Sequence, residues 1–243
     1  MIIYLADGSL QNFYTAVFYA YNKKNCIITS NENVQLTFDS QLVKVTTEHD
    51  KVKRVINKLK EFDDLAEDEV SLVLRSYDDL KEQTAFEYIK LLVKTQKPIR
   101  GNLSHPTVLE MDDLRRKVTT EIHHFKGFLR FMETEQGILY APFSPDNDVT
   151  DFLCAHFAER LKIQKFVIHD IKRKKAAMYD GNSWILQNVG EAEVYLSQYE
   201  KVFESLWKKY YNSVNIKERP HEKQMKGYMP VRYWKFMPEK KDV

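Results

Sequence analysis

Cysteine, glycine and proline are all scarce in this chain of 243 residues. The two cysteines, Cys26 and Cys154, are too few for a disulfide framework or for the thiolates of an iron–sulfur cluster. We therefore expect both to be reduced thiols in a cytoplasmic protein. Seven glycines and seven prolines argue against a fibrous or disordered chain, and 43% hydrophobic residues are enough for a sizeable core.

Long hydrophobic runs are also missing. The apolar start, Met1 to Ala6, ends at Asp7 and Gly8, which makes it too short for a signal peptide. No run approaches the roughly 20 residues of a membrane-spanning helix, so we expect no membrane partner. The chain has no glycine-rich nucleotide loop, no nucleophile elbow and no Cys-x-x-Cys pair. We therefore predict no cofactor.

Positive and negative charges are nearly balanced over the whole chain, whose net charge is +2. It is unevenly distributed, however. Residues 206–243 carry ten Lys or Arg and four Asp or Glu, whereas residues 1–100 carry fourteen and fifteen. A basic terminal segment on a nearly neutral body favours an anionic partner, nucleic acid before membrane. A solvated tail would give the same pattern.

The stretch from 121 to 175 carries the clearest structural pattern. Apolar alternation predicts a strand at 128–133, a turn at Thr134 to Gly137 and a returning strand at 138–143. A helix follows, capped by Asp146 or Asp148, with His156 and Arg160 on its otherwise buried face. A second hairpin is predicted from strands at 165–170 and 176–179. The unit is hairpin, helix, hairpin.

The rest of the chain predicts mostly helices. Residues 1–6 read as a strand and Ser9 as the N-cap of an aromatic helix. Further predicted elements are strands at 34–38 and 41–46, helices at 50–65, 70–77 and 86–93, a helix ending near Phe125, and a long helix at 191–211. The aromatic stripe of that last helix, from Tyr195 to Tyr210, is expected to face inward. The fold class is α+β, with an N-terminal region 1–97 and a C-terminal region 107–243, or one integrated domain.

Several segments resemble a known family. The opening ADGSLQNFYTAVFYAY, the middle EIHHFKGFLRF, HFAERL and HDIKR, and the closing LWKKYY, NIKER and MPVRYWKFMPE are similar to an uncharacterised bacterial family of probable DNA metabolism or DNA repair proteins. The resemblance implies a partner, a putative radical SAM protein of DNA modification or repair. It also implies, in some bacteria, fusion to a uracil-DNA glycosylase domain.

Basic and aromatic side chains are the candidate nucleic-acid contacts, because cations meet phosphates and flat rings stack on bases. Pro230 biases the closing segment toward extended geometry, in which alternate side chains share a face. Trp234 could instead anchor the tail near Trp207. The candidates are His123, His124, Lys126, Arg130, Arg160, Lys172, Arg173, Arg219, Arg232, Tyr233, Trp234 and Lys235.

An enzyme remains a second hypothesis. His156 or His169 could act as general acid or base near neutral pH, with Asp170 orienting the ring. A buried polar cluster would explain His156 and Arg160 equally well. The acidic residues of 63–69 could hold a metal ion, but they also match a solvated link between helices. No pair of histidines has the spacing of a known zinc site, so we predict no metal.

The preferred hypothesis is a DNA-binding accessory protein that acts with a radical SAM or glycosylase partner. The alternatives are a nucleic-acid-processing enzyme that uses a histidine, and a protein-interaction partner that does not contact DNA directly.

Overall fold

The computed structural model describes residues 1–34, 39–190, 195–214 and 222–240. It has the predicted α+β class, and the chain forms two compact units, Met1–Thr119 and Thr120–Val243. Within the described ranges, no helix is both long and apolar enough to cross a lipid bilayer. A strand was predicted at 34–38, and residues 35–38 of it lie outside these ranges.

The first unit is built on a small parallel sheet. Its elements are β1 (Ile2–Leu5), α1 (Leu10–Ala20), β2 (Cys26–Thr29), β3 (Gln41–Lys44), α2 (His49–Phe62), α3 (Ala66–Val73), α4 (Lys81–Thr95) and the start of α5 (Pro106–Phe128). The strand order is β2-β1-β3. Phe13, Tyr14, Leu59 and Phe86 are fully buried in the core beside this sheet.

Two predictions for the first unit are confirmed in detail. The opening strand is β1, and the Ser9 hydroxyl caps α1 by accepting the Asn12 N–H. Strand β2 was not predicted from the sequence. Three of the five acidic residues in 63–69 form ion pairs: Asp63 with Arg100, Glu67 with Lys60 and Glu69 with Arg115.

The second unit contains a five-stranded mixed sheet. Its elements are β4 (Met132–Glu133), β5 (Leu139–Phe143), α6 (Thr150–Leu161), β6 (Phe166–Asp170), β7 (Lys175–Tyr179), β8 (Trp184–Asn188), α7 (Glu200–Val214), α8 (Glu222–Tyr228) and 3-10 helices at Val231–Phe236 and Pro238–Lys240. The strand order is β4-β5-β6-β7-β8, with β5 and β6 parallel because α6 crosses between them. The predicted hairpin, helix and hairpin are present, and β8 extends the sheet by a strand that was not predicted.

The two faces of this sheet have different neighbours. Phe131 contacts both Phe157 of α6 and Phe166 of β6, at ring distances of 5.0 and 5.7 Å. Helix α6 therefore covers the face that carries Phe166, Ile168 and Asp170, which we call the helix face. Because side chains alternate along a strand, Val167 and His169 lie on the opposite face, which we call the far face.

The first predicted strand of the second unit was too long. Helix α5 continues to Phe128, and only Met132–Glu133 pairs as a strand. The reason is tertiary packing: Phe125 is buried, with its ring 5.0 Å from Phe143 and 4.4 Å from Tyr233. The Phe128 ring joins the same group, 5.7 Å from the His124 ring and 6.4 Å from the Tyr233 ring, and this packing keeps residues 126–128 in the helix.

The predicted aspartate cap of α6 was also wrong. Val149 occupies the N-cap, without a side-chain hydrogen bond. The carboxylates of Asp146 and Asp148 instead pair with Arg232 and Lys175, which compete for the same oxygens. The prediction that Arg160 shares a buried face was wrong as well, because Arg160 is exposed and His156 is only half-buried.

Helix α7 differs most from its prediction. It begins at Glu200, and residues 191–194 lie outside the described ranges. Its aromatic stripe was expected to face inward but is solvent-exposed, with exposed fractions of 53–59%. The stripe comprises Tyr199, Val202, Phe203, Leu206 and Tyr210. Amphipathic spacing identifies the apolar side of a helix but not whether another element covers it.

The closing segment is not extended. Residues Val231–Phe236 form a 3-10 helix directly after Pro230, so the expected pairing of alternate side chains does not occur. Tyr233 is buried, whereas Arg232 and Lys235 are exposed and Trp234 is half-buried.

Candidate nucleic-acid interface

A buried carboxylate organises the loop between β5 and α6. Glu121 of α5 is 3% exposed. Its Oε1 accepts the Asp146 N–H at 2.9 Å, and its Oε2 accepts the backbone and side-chain N–H groups of Asn147, both at 2.7 Å. The Tyr233 hydroxyl donates to Oε1 at 3.0 Å. Because the charge is buried, these four bonds fix the loop and the closing segment together.

Arg173 is part of the same construction. Its Nη1 donates to Asp170 Oδ2 at 2.9 Å and to the Pro145 carbonyl at 3.1 Å, and its Nη2 donates to the Asp146 carbonyl. The Asp170 carboxylate is fully buried and also accepts the Arg173 backbone N–H. A guanidinium held in this way braces the loop and has little capacity left for a phosphate.

Arg232 and Lys172 also lie near a carboxylate, that of Asp146. Arg232 Nε lies 3.0 Å from Asp146 Oδ2, and Nη2 donates to the Tyr233 hydroxyl at 3.0 Å. Lys172 is exposed and 3.9 Å from the other Asp146 oxygen. Burial and the Glu121 carboxylate raise the pKa of Tyr233, so its hydroxyl stays protonated and donates to Glu121. The ring is only 3% exposed, so it is not available to stack on a base.

Arg130 is occupied by the C-terminal segment. Its Nη2 lies 2.6 Å from Glu239 Oε1, and its guanidinium lies 5.0 Å from the Trp207 ring centroid. Burial opposes ionisation of Glu239, but the Arg130 bonds outweigh it, so its pKa is lowered. Trp234 donates from Nε1 to the Met229 carbonyl, and the Lys240 amine lies 5.1 Å from its ring. The tail is thus anchored through Glu239 to Arg130, just after α5, whereas Trp234 packs within the tail itself.

Helices α5 and α6 each carry a pair of basic or titratable side chains. His123 and Lys126 are one turn apart on α5, and His156 and Arg160 are one turn apart on α6. The pKa of His156 is lowered by burial first and then by the positive charges of Lys126 and Arg160, which places each of these two cations near His156. We call these four residues the α5–α6 cluster.

Within the described part of the chain, the exposed cations of this cluster are not neutralised by an ion pair. His123, Lys126 and Arg160 are exposed, and among the described residues no carboxylate forms an ion pair with Lys126 or Arg160. The carboxylate of Glu159 acts on His156 but is the smallest influence on its pKa. The cluster therefore presents positive charge to solvent.

His124 lies on the inner side of α5. Its ring packs near Phe128 and Tyr233, at 5.7 and 6.2 Å. Burial lowers its pKa, and His123 and Arg232 lower it further. A neutral, half-buried ring beside aromatic side chains is a packing group and a weak phosphate contact.

His169 stands apart from the α5–α6 cluster. It is on the far face, and its Nδ1 is 2.8 Å from the Tyr140 hydroxyl. Burial lowers its pKa, while Asp170 opposes this effect weakly. The Asp170 carboxylate is turned to the helix face and is held by Arg173, so Tyr140 orients the His169 ring in this structure.

Of the remaining candidates, Lys235 is exposed, with its amine 5.4 Å from the Phe236 ring. Arg219 lies outside the described ranges. Within those ranges, no group of three His, Cys, Asp or Glu side chains is placed to hold a metal ion.

The sequence analysis missed the carboxylates and the phenol that determine these roles: Glu121, Asp146, Glu239 and Tyr140. One signal was available for Glu121, because it sits beside Ile122 within the apolar stripe of α5, where a charge is out of place unless it is bonded. Glu239 and Tyr140 gave no comparable signal.

Comparison with known proteins gives one match. No curated protein and no solved structure matches the chain. The model of one family, "Domain of unknown function (DUF4130)", matches residues 79–239, which is more than half of the chain. This range includes all of α5 and α6, and it also includes every described candidate residue. The chain belongs to the DUF4130 family.

Proposed function

We propose that the protein binds DNA, single-stranded or damaged, as an accessory to a DNA modification or repair enzyme. The α5–α6 cluster is the proposed phosphate-binding surface. The observation that carries the proposal is that Lys126 and Arg160 lie close enough to act on His156, while no described carboxylate neutralises either of them. Unpaired, exposed cations gathered on one surface attract a polyanion.

This surface is narrower than the one expected from the sequence. A carboxylate pairs with the guanidinium of each of three arginines, Arg130, Arg173 and Arg232, and Tyr233 is buried. Breaking the Arg130 or Arg173 pair to free its cation would leave a buried carboxylate, Glu239 or Asp170, which costs about 3 to 5 kcal/mol. The phosphate contacts are therefore proposed at Lys126 and Arg160, with His123 beside them and Lys172 and Lys235 as outlying cations.

In this proposal, a partner enzyme carries out the chemical modification of the DNA. The resemblance to DNA metabolism proteins suggests a radical SAM or glycosylase enzyme for this role. In the proposed arrangement, this protein holds the strand through a few phosphates and the partner modifies it. With two to three phosphate contacts, binding alone should be weak and strongly dependent on salt.

Fluorescence anisotropy with a labelled single-stranded oligonucleotide tests the proposal. We expect binding at micromolar protein in 50 mM salt and a marked loss at 200 mM. The double variant Lys126→Ala/Arg160→Ala removes about two contacts. It should lower affinity on the order of tenfold and reduce the slope of log K against log salt by about 1.4, since each contact on a single strand contributes about 0.7.

The matched control is Lys53→Ala/Lys97→Ala, which removes two exposed lysines from the first unit and changes net charge equally. It should keep the parental salt slope. No binding at micromolar protein would refute the proposal, as would equal losses in the two double variants. Duplex, mismatched and abasic oligonucleotides measured in parallel rank the preferred substrate.

A further inference from the structure

The far face of the sheet contains a cavity of about 270 Å³, separate from the α5–α6 cluster. Its floor is formed by β5, β6 and β7, and its rim by the turn after β4 and by Tyr195. The lining residues used below are Tyr140, Val167, His169, Met178, Glu135 and Tyr195. Helix α6, which carries His156 and Arg160, covers the opposite face, so the two sites do not share a surface.

A preorganised polar group stands in this cavity. His169 is 6% exposed, and the Tyr140 hydroxyl fixes its ring through Nδ1. Among the described residues, none forms a hydrogen bond with the second ring nitrogen, Nε2. Burial lowers the pKa of His169, which keeps the ring neutral near pH 7. A neutral imidazole with one nitrogen fixed offers the other to a ligand as a single directional donor or acceptor.

The walls specify the kind of ligand. Val167 and Met178 are apolar, and Tyr195 adds an aromatic ring at the rim, 66% exposed. Apolar and aromatic side chains pack against the faces of a flat ring. The volume lies slightly below the range for drug-sized ligands, which limits the occupant to about one or two fused rings with a small substituent.

The charged residues that line the cavity restrict the class of ligand further. Among the described residues that line the cavity, none is Lys or Arg, and Glu135 is the one carboxylate. A phosphate or carboxylate ligand would find no cation there and would be repelled by Glu135. An uncharged ligand meets no such penalty.

We propose that the far-face cavity binds an uncharged, planar nitrogen heterocycle of the size of a free nucleobase or nucleoside. The ring lies between the apolar walls, and His169 Nε2 bonds to its edge. The 5′-monophosphate of the same nucleoside binds more weakly because of Glu135. This site is independent of the proposed DNA surface, so either assignment can fail without the other.

Methionine-methyl NMR on the full chain tests the proposal. The chain has seven methionines, of which Met178 lines the cavity. Titration with the four deoxynucleosides should shift the Met178 signal, assigned with Met178→Leu, and leave most others in place. We expect saturation below about 1 mM for at least one nucleoside, and at least threefold weaker binding of its 5′-monophosphate.

Two variants locate the ligand. Tyr195→Ala removes an exposed rim ring without touching the core and should weaken binding severalfold. Its control, Tyr199→Ala, removes a similarly exposed tyrosine just before α7 that does not line the cavity. His169→Gln should weaken binding more strongly, with His49→Asn as the exposed-histidine control. Circular dichroism checks that each variant folds.

Several results would overturn the assignment. They are the absence of a Met178 shift with every nucleoside at millimolar concentration, equal shifts at all methionines, and identical binding by the parent and Tyr195→Ala. Tighter binding of the monophosphate would also overturn it, by indicating an anion site. Loss of oligonucleotide binding in Lys126→Ala/Arg160→Ala has no bearing on these readouts.

Discussion

Arg130 and Glu239, 109 positions apart in the chain, form an ion pair with 2.6 Å between Nη2 and Oε1. The side chains of the two residues are 21% and 1% exposed. The pair joins the end of α5 to the last described turn of the chain. Since the carboxylate is buried, the segment after α8 is part of the folded unit and not a solvated tail.

Replacing Arg130 by methionine should therefore destabilise the second unit by about 3 kcal/mol or more, because Glu239 is left buried without its cation. All three tryptophans, Trp184, Trp207 and Trp234, lie in this unit, so their fluorescence during urea unfolding reports on it selectively. Arg160→Met, at an exposed arginine, is the control and should stay within about 0.5 kcal/mol. If both variants unfold at the parental urea concentration, the ion pair has no structural role. Arg130→Met/Glu239→Met should recover part of the loss.

The Tyr233 hydroxyl supplies one of the four hydrogen bonds of Glu121. Tyr233→Phe keeps the ring and removes this donor, so we expect a loss of about 1 to 3 kcal/mol in the free energy of unfolding. Oligonucleotide affinity, measured under conditions where the variant is folded, should be unchanged, because the hydroxyl is buried. A selective loss of DNA affinity at unchanged stability would place Tyr233 in the interface instead.

Stability should depend on pH through the histidines. The pKa values of His124, His156 and His169 are all lowered in the folded chain. Below pH 6.5, the unfolded chain therefore binds protons that the folded chain resists, so the free energy of unfolding falls as pH decreases from 7 toward 5. His169→Gln removes one of these groups and should flatten that dependence. A parental protein that gains stability over this range would contradict the assigned protonation states.

The exposed stripe of α7 yields a prediction about which aromatic residues support the fold. Phe203 is 54% exposed, whereas Phe157 of α6 is 5% exposed and packs against Phe131. Phe203→Ser should change the free energy of unfolding by less than about 0.5 kcal/mol. Phe157→Ala should cost about 3 to 5 kcal/mol. Comparable losses in the two variants would mean that the stripe is covered in solution.

Local patterns predicted much of the secondary structure. Short apolar stretches bounded by turn residues identified β1, β5, β6 and β7, and helical spacing of apolar residues identified α1, α5 and α6. Ser9 was predicted as a cap because its hydroxyl acts within its own turn. Strands β2 and β8 were missed because both lie at the edge of their sheets and neither alternates between buried and exposed side chains, so neither carries a period-two signal.

The roles of the charged residues could not be predicted in the same way. Arg130, Arg173 and Arg232 looked like phosphate contacts because a basic residue has the same signature whether it meets solvent or a carboxylate. Their partners, Glu239, Asp170 and Asp146, became visible only in the folded chain. Lys126 and Arg160 looked no different in the sequence.

The sequence by itself determined the α+β class, the hairpin, helix and hairpin of the second unit, and a supply of cations and aromatic rings. Only the tertiary structure decided which cations are neutralised, which rings are buried and which histidine faces a cavity. The physical reason is range: a hydrogen-bonding period or a helix cap is set within a few residues, whereas the free energy of a charge depends on groups that the fold brings from more than a hundred positions away.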